Sequence, residues 1–179
     1  IRGLLATKEA IATRYRDVYG VELDPEREVA LVPGTKTGIF ELALALADEG
    51  DTILLPDPYY PDYPSGVALA DARLGTVPLD SDAGFAPDLD AAPAAAALYL
   101  NYPSNPCAVC APPGTFEAAV AWAARTGGAV VHDAAYVDLV FDGRVPRSFL
   151  ATAGAKDIGV EMWSMSKTYG MAGWRIGFV

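Results

Sequence analysis

The segment Ser164-Met165-Ser166-Lys167-Thr168-Tyr169-Gly170-Met171-Ala172-Gly173-Trp174-Arg175-Ile176-Gly177 concentrates the chemistry of this chain. Within fourteen residues it sets two serines, one lysine, three glycines and one arginine. Lys167 follows the apolar run Val160–Trp163. It is therefore expected near the end of a buried strand, where partial burial would lower its pKa. A deprotonated lysine attacks a carbonyl and can form a Schiff base. Arg175 lies eight residues on. Its guanidinium is planar, permanently charged and suited to phosphate.

Other polar groups also follow apolar runs. After Val29–Val32 comes Pro33-Gly34-Thr35-Lys36-Thr37-Gly38. Glycines and a threonine at a strand-to-helix turn leave free N–H groups at a helix N-terminus, which favours an anion. The loop is not a Walker A motif. After Thr52–Leu55 comes Pro56-Asp57-Pro58-Tyr59-Tyr60-Pro61-Asp62-Tyr63, a rigid aromatic stretch that packs or stacks on a planar ligand. After Ala97–Leu100 comes Asn101-Tyr102-Pro103-Ser104-Asn105-Pro106, a turn whose amides could reach a ligand oxygen. After Ala129–Val131 come His132, Asp133, Ala134, Ala135 and Tyr136. An acid at the end of so apolar a strand is costly unless paired. A protonated ring nitrogen is one partner that would resolve the cost. His132 reads as a neighbour of the chemistry rather than its agent.

Positioning these groups requires strands that end together. Strands are predicted at Val29–Val32, Thr52–Leu55, Leu74–Leu79, Ala97–Leu100, Ala129–His132, Val160–Trp163 and Arg175–Val179. Several are unbroken apolar runs, as in strands buried on both faces of a parallel sheet. Helices are predicted at Leu4–Tyr19, Thr37–Ala47, Asp62–Ala70 and Phe116–Thr126. Thr37–Ala47 carries Ile39, Phe40, Leu42, Leu44 and Leu46, is apolar nearly all round and is expected to be buried. Alternating strands and helices predict an α/β fold, a three-layer αβα sandwich with a mostly parallel seven-stranded sheet. Ligands in such sheets sit beyond the carboxyl ends of the strands.

The chain has 179 residues, 52% of them hydrophobic, and a formal charge of −10. That suffices for one sizeable domain with its own core. The acidic balance argues against a nucleic-acid binder. The longest apolar run, Ala91–Leu100, contains Pro93 and is too short to cross a bilayer, so no membrane partner is expected. No secretory leader opens the sequence. Cys107 and Cys110 form a C-x-x-C pair read as reduced thiols in a cytoplasmic protein. A zinc site needs about four ligands. The chain supplies one histidine and no second cysteine pair, so no metal is expected.

Together these segments resemble the fold-type I pyridoxal-phosphate enzymes, specifically the class I/II aminotransferases. Ser164-x-Ser166-Lys167 followed by Arg175 and Gly177 resembles that family's lysine motif. Asn105-Pro106 resembles its Asn-Pro-Thr-Gly element, and Asp133-x-Ala135-Tyr136 its Asp-x-Ala-Tyr element. The elements come in family order, and the resemblance runs over essentially the whole chain. It implies pyridoxal 5'-phosphate as cofactor, an amino acid and a 2-oxo acid as substrates, and a homodimer. It implies that Lys167 is the Schiff-base lysine and proton shuttle, and that Asp133 keeps the pyridine nitrogen protonated. Asn105 and Tyr136 would donate to the phenolic oxygen, and Tyr60 would stack on the ring. The turn at Gly34, the amides of Thr35 and Lys36, and Ser164, Ser166 and Arg175 would form the phosphate cup. Lys36, Lys167 and Arg175 would then make a local positive cluster within an acidic protein.

Cys107 and Ala108 stand where the family has Thr and Gly, which implies a changed turn. The family's chains are roughly twice as long and carry a small C-terminal domain. The expectation is that residues 1–179 are a large domain truncated at both ends. Competing readings are a pyridoxal-phosphate C–S lyase or related synthase, the ligand-sensing domain of a transcription regulator, and a structural α/β domain.

Overall fold

The computed structural model describes residues 3–179. Helix α1 (Leu5–Arg14) runs into a π-helical turn, Tyr15–Tyr19. The chain then enters β1 (Leu31–Val32), α2 (Thr35–Leu46), β2 (Thr52–Asp57), α3 (Tyr63–Leu69), β3 (Arg73–Asp80) and β4 (Ala86–Pro87). There follow β5 (Ala97–Asn101), α4 (Thr115–Thr126), β6 (Ala129–Asp133), α5 (Ala155–Ile158), β7 (Gly159–Ser164), α6 (Met165–Thr168) and β8 (Gly177–Phe178).

These strands form one eight-stranded sheet in the order β1-β8-β7-β6-β5-β2-β3-β4. The interior pairs β3·β2, β2·β5, β5·β6 and β6·β7 are parallel. The pairs β7·β8, β8·β1 and β3·β4 are antiparallel. The eighth strand is β4, two residues opposite Leu79 and Asp80. No periodicity betrays so short a strand, and one of its residues is Pro87.

Side-chain alternation sorts the core into layers. Leu98, Leu100 and Val130 face α4, where Phe116 and Trp122 pack with Phe149. Tyr99, Val131 and Met162 face the other way, against Ile39 and Ala43 of α2 and Tyr63 and Val67 of α3. Helices therefore cover both faces, giving the three-layer sandwich. Among the described residues, no helix is long and apolar enough to cross a membrane.

Two predicted helices are corrected. The predicted helix Leu4–Tyr19 is not uniform, because its last turn is π-helical and drives Tyr15 inward to 1% exposure. Helix α2 is not buried all round: Leu44 is 58% exposed, and the fully buried positions are Gly38, Ile39 and Ala43. One stripe of the helix meets the sheet, whatever the composition of the others. The helix also starts two residues before the predicted Thr37. Gly34, at φ 87°, turns the chain sharply and lets Thr35 and Lys36 enter the first turn.

Candidate active site

The carboxyl ends of the central strands are level. Asn101 of β5 is in register with Asp133 of β6, and Asp133 with Met162 of β7, two residues before the end of that strand at Ser164. The edge strands complete the rim. Gly177 of β8 pairs with Ser164 on one side and Val32 on the other. A Cβ at Gly177 would lie 3.1 Å from both the Thr35 amide nitrogen and the Trp163 carbonyl oxygen. Its lack of a side chain lets the start of α2 come up against β7.

A cavity of about 220 Å³ opens at this rim. It is lined by Thr35, Lys36, Tyr60, Asn105, Asp133 and Tyr136, and by Ser164, Ser166, Lys167 and Arg175. Every residue that the resemblance assigns to the cofactor lines it except Gly34, which stands against Arg175. A side chain at Gly34 would strike the Arg175 guanidinium. A larger hollow, about 750 Å³, lies between α1 and the β1–β8 edge, lined by Lys8, Ile11, Leu23, Val29 and others. It too holds lysines and glutamates, among them the paired Lys156 and Glu28, but it reaches β7 at Gly159 and Val160, the start of that strand rather than its carboxyl end.

Asp133 is 5% exposed. Its Oδ2 accepts from the Tyr63 hydroxyl at 2.8 Å and its Oδ1 from the Ala135 N–H at 3.2 Å. Burial pushes this carboxyl above the ordinary carboxylate range; Tyr63, the Ala135 amide, His132 and Lys167 pull it back. Tyr63 is the functional neighbour that sequence reading missed. The available signal was its place in the same aromatic stretch as Tyr60, at the first residue of α3. The Tyr60 and Tyr63 rings pack edge to face with centroids 5.6 Å apart.

Asn101 clamps the loop that carries Asn105. Its Nδ2 donates to the Asp133 carbonyl at 2.9 Å, and its Oδ1 accepts from the Asn105 N–H at 2.7 Å. Asn105 Nδ2 then lies 3.4 Å from the Tyr136 hydroxyl. Next door, Ala108 sits at φ 56°, the left-handed region that glycine occupies freely.

Ser164 caps α6, its hydroxyl accepting from the Ser166 N–H at 3.2 Å. Arg175, at φ 52°, donates from Nη1 to the Ala172 carbonyl at 3.2 Å. With the first amides of α2, which have no intrahelical acceptor, these groups make an anion-binding corner.

Two expectations about charge are revised. Lys167 is exposed rather than partly buried, because the short α6 carries it over the rim; its Nζ lies 5.3 Å from the centroid of the Tyr136 ring. Lys36 does not add a free cation, since its Nζ pairs with Asp62 Oδ2 at 2.6 Å. His132 is fully buried, as a neighbour of the site rather than a part of its lining. Cys107 and Cys110 are free thiols, and among the described residues no cluster of His, Cys, Asp or Glu is arranged to hold a metal.

The sequence matches the family described as Aminotransferase class I and II over residues 1–179. It is 51% identical over 182 residues to L-glutamine--4-(methylsulfanyl)-2-oxobutanoate aminotransferase of Bacillus subtilis (strain 168), covering 99% of this chain and 46% of that protein. It is 45% identical to LL-diaminopimelate aminotransferase of Desulforudis audaxviator (strain MP104C), covering 98% of this chain and 46% of that protein. The substrate-bound BacF structure from Bacillus subtilis superposes with a TM-score of 0.94 at 40% identity, covering 99% of this chain and 46% of that one. A fold and rim of this kind define a pyridoxal-phosphate enzyme class, and the chain belongs to the class I and II aminotransferase family. It spans about half the length of the curated relatives it matches.

Proposed function

We propose that this chain is the pyridoxal-phosphate-binding large domain of an aminotransferase that moves an amino group between an amino acid and a 2-oxo acid. The observation that carries this is one cavity lined by an exposed lysine, a buried acid and an anion-binding corner, Lys167, Asp133 and Ser164–Ser166–Arg175.

The residues fit the cofactor. Asp133 is a buried carboxyl whose direct hydrogen-bond donors are both neutral, so a protonated ring nitrogen would supply the missing cation. Thr35, Lys36, Ser164, Ser166 and Arg175 would hold the phosphate, and Tyr60 would cover the ring. Asn105 and Tyr136 would donate to the phenolic oxygen. When bound, pyridoxal phosphate supplies an aldehyde for amine exchange and a ring that withdraws electrons from the substrate's α-carbon. Lys167 would hold the aldehyde carbon. Its Nζ would be the base that takes the proton from the substrate's α-carbon and delivers it to the carbon that bears the aldehyde, which is what converts amino acid to 2-oxo acid. Asn101 and Tyr63 act as positioning residues, fixing Asn105 and Asp133.

The named substrates of the relatives differ, glutamine and a methylsulfanyl oxo acid in one and LL-diaminopimelate in another. We therefore assign the class of substrate only. We further infer a cytoplasmic homodimer, a reading supported by the family and by the free thiols.

The test is reductive trapping. The full-length protein is loaded with pyridoxal phosphate, treated with borohydride and digested. The expected label is on Lys167, lost in Lys167→Ala, with amino transfer from an amino acid to a 2-oxo acid in the unreduced enzyme. Label on another residue would overturn the site. Release of pyruvate and ammonia without amino transfer would identify a lyase instead. The 179-residue chain alone is expected to turn over poorly, because its relatives are about twice as long. Robust turnover by it would refute the domain assignment.

A further inference from the structure

Asp133 and its neighbour His132 point to opposite faces of the sheet, Asp133 to Tyr63 of α3 and His132 to Phe116 of α4. There His132 meets Glu161 of β7, with Nδ1 2.7 Å from Oε2 and both side chains fully buried. Glu161 Oε2 also accepts from the Phe149 N–H at 2.7 Å. Its Oε1 accepts from the Tyr15 and Ser148 hydroxyls, each at 2.8 Å. His132 Nε2 lies 2.9 Å from the Tyr102 carbonyl oxygen. A carbonyl only accepts, so Nε2 carries a hydrogen. Nδ1 faces a carboxyl whose two oxygens are already ringed by two hydroxyls and one N–H, so a hydrogen on Nδ1 has an acceptor in place.

We propose that Glu161 and His132 are positioning residues of the active site: the doubly protonated ring places a cation behind Asp133, and the pair anchors the loops that bear Asn105 and Tyr136. This rests on the proposed function. The anchoring is direct. Tyr102 follows Asn101, whose side chain holds both Asp133 and Asn105. Ser148 and Phe149 close the loop that opens at Ala134 and carries Tyr136.

The setting argues against a role in stability alone. Phe116 and Phe149 pack on the imidazole with ring centroids 4.9 and 6.1 Å away. Apolar side chains would fill such a site at no loss, since buried ion pairs rarely outperform them. A cation at position 132 acts on Asp133 alongside the other groups that face the carboxyl, Tyr63 from α3, Tyr99 from β5 and Lys167 from α6. The groups facing the pair itself are the hydroxyls of Tyr15 and Ser148.

The experiment uses the full-length protein loaded with pyridoxal phosphate. Retained cofactor is measured by absorbance after gel filtration across an acid pH series, for the natural protein, His132→Gln and Glu161→Gln. Loss of the cation makes the Asp133 carboxylate easier to protonate. The acid limb of retention is therefore expected to move to higher pH by about one unit in both variants. Phe149→Leu, which loosens the same packing without touching the charges, is expected to leave that limb in place. Nitrogen NMR of the His132 ring in the natural protein is expected to show both nitrogens protonated. Variants that retain the natural limb would overturn the proposal. So would a ring protonated on Nε2 alone, whether or not the variants fold. Failure to trap the cofactor on Lys167 in the natural protein would instead overturn the function on which it rests.

Discussion

Asp133 is the residue at which stability and function oppose each other. Burial holds its pKa above the ordinary carboxylate value. Below the ordinary value, folded and unfolded chains both keep the proton. As pH rises between the ordinary and the raised value, the unfolded chain releases it first, and stability of the cofactor-free protein falls. Asp133→Asn removes the buried charge while one amide oxygen still accepts from the Ala135 N–H. The cofactor-free variant is expected to melt higher than the natural protein at neutral pH and to retain less pyridoxal phosphate. Paired calorimetry and absorbance measurements check both halves; a lower melting temperature in the cofactor-free variant would refute the first. At Ala108, φ 56° strains a residue that has a Cβ. Ala108→Gly is expected to stabilise by about 1 kcal/mol, read as a rise in the urea midpoint. At this scale the sequence was legible where side-chain chemistry was unusual for its surroundings, as with Lys167 and Asp133. It was not legible for Tyr63 or Lys36, because a tyrosine hydroxyl and a lysine ammonium reach whatever the fold brings near them.

The elements explain how the proposed phosphate corner is assembled. Two short antiparallel strands, β1 and β8, fasten the start of α2 to the end of β7, and Gly177 is the register point shared by all three. Gly34 combines a positive φ with close approach by the Arg175 guanidinium. Gly34→Ala is expected to cost about 1–3 kcal/mol in stability and to displace Arg175. Its signature is weaker pyridoxal-phosphate retention with little change for pyridoxal, which lacks the phosphate; equal losses for both would refute the assignment of this corner. A second fastening joins α1 to the loop after β6. Arg14 pairs with Asp138, whose Oδ1 also accepts from the Tyr19 hydroxyl at 2.7 Å. This bond network lies two residues from Tyr136, which it helps hold over the rim.

Across the whole molecule, the sheet separates two cores that serve the same edge. The α4 side is filled by Trp122, Phe116 and Phe149, and Trp122 also donates from its indole nitrogen to the Pro93 carbonyl at 3.0 Å. Trp122→Ala is expected to destabilise the fold by about 3–5 kcal/mol, measured by urea unfolding, since the cavity lies in a fully packed layer. The sequence by itself determined the central strands and the four longer helices, because apolar runs and their periods report burial directly. It also singled out the proposed reactive set, because lysine, acid and asparagine each lay just beyond an apolar run and the arginine opened one. The tertiary structure alone decided their partners. Strand order and register brought Asp133 to Tyr63, Lys36 to Asp62, and His132 to Glu161. Contacts between residues far apart in the chain depend on how strands are ordered across the sheet, and no local pattern of residues encodes that order.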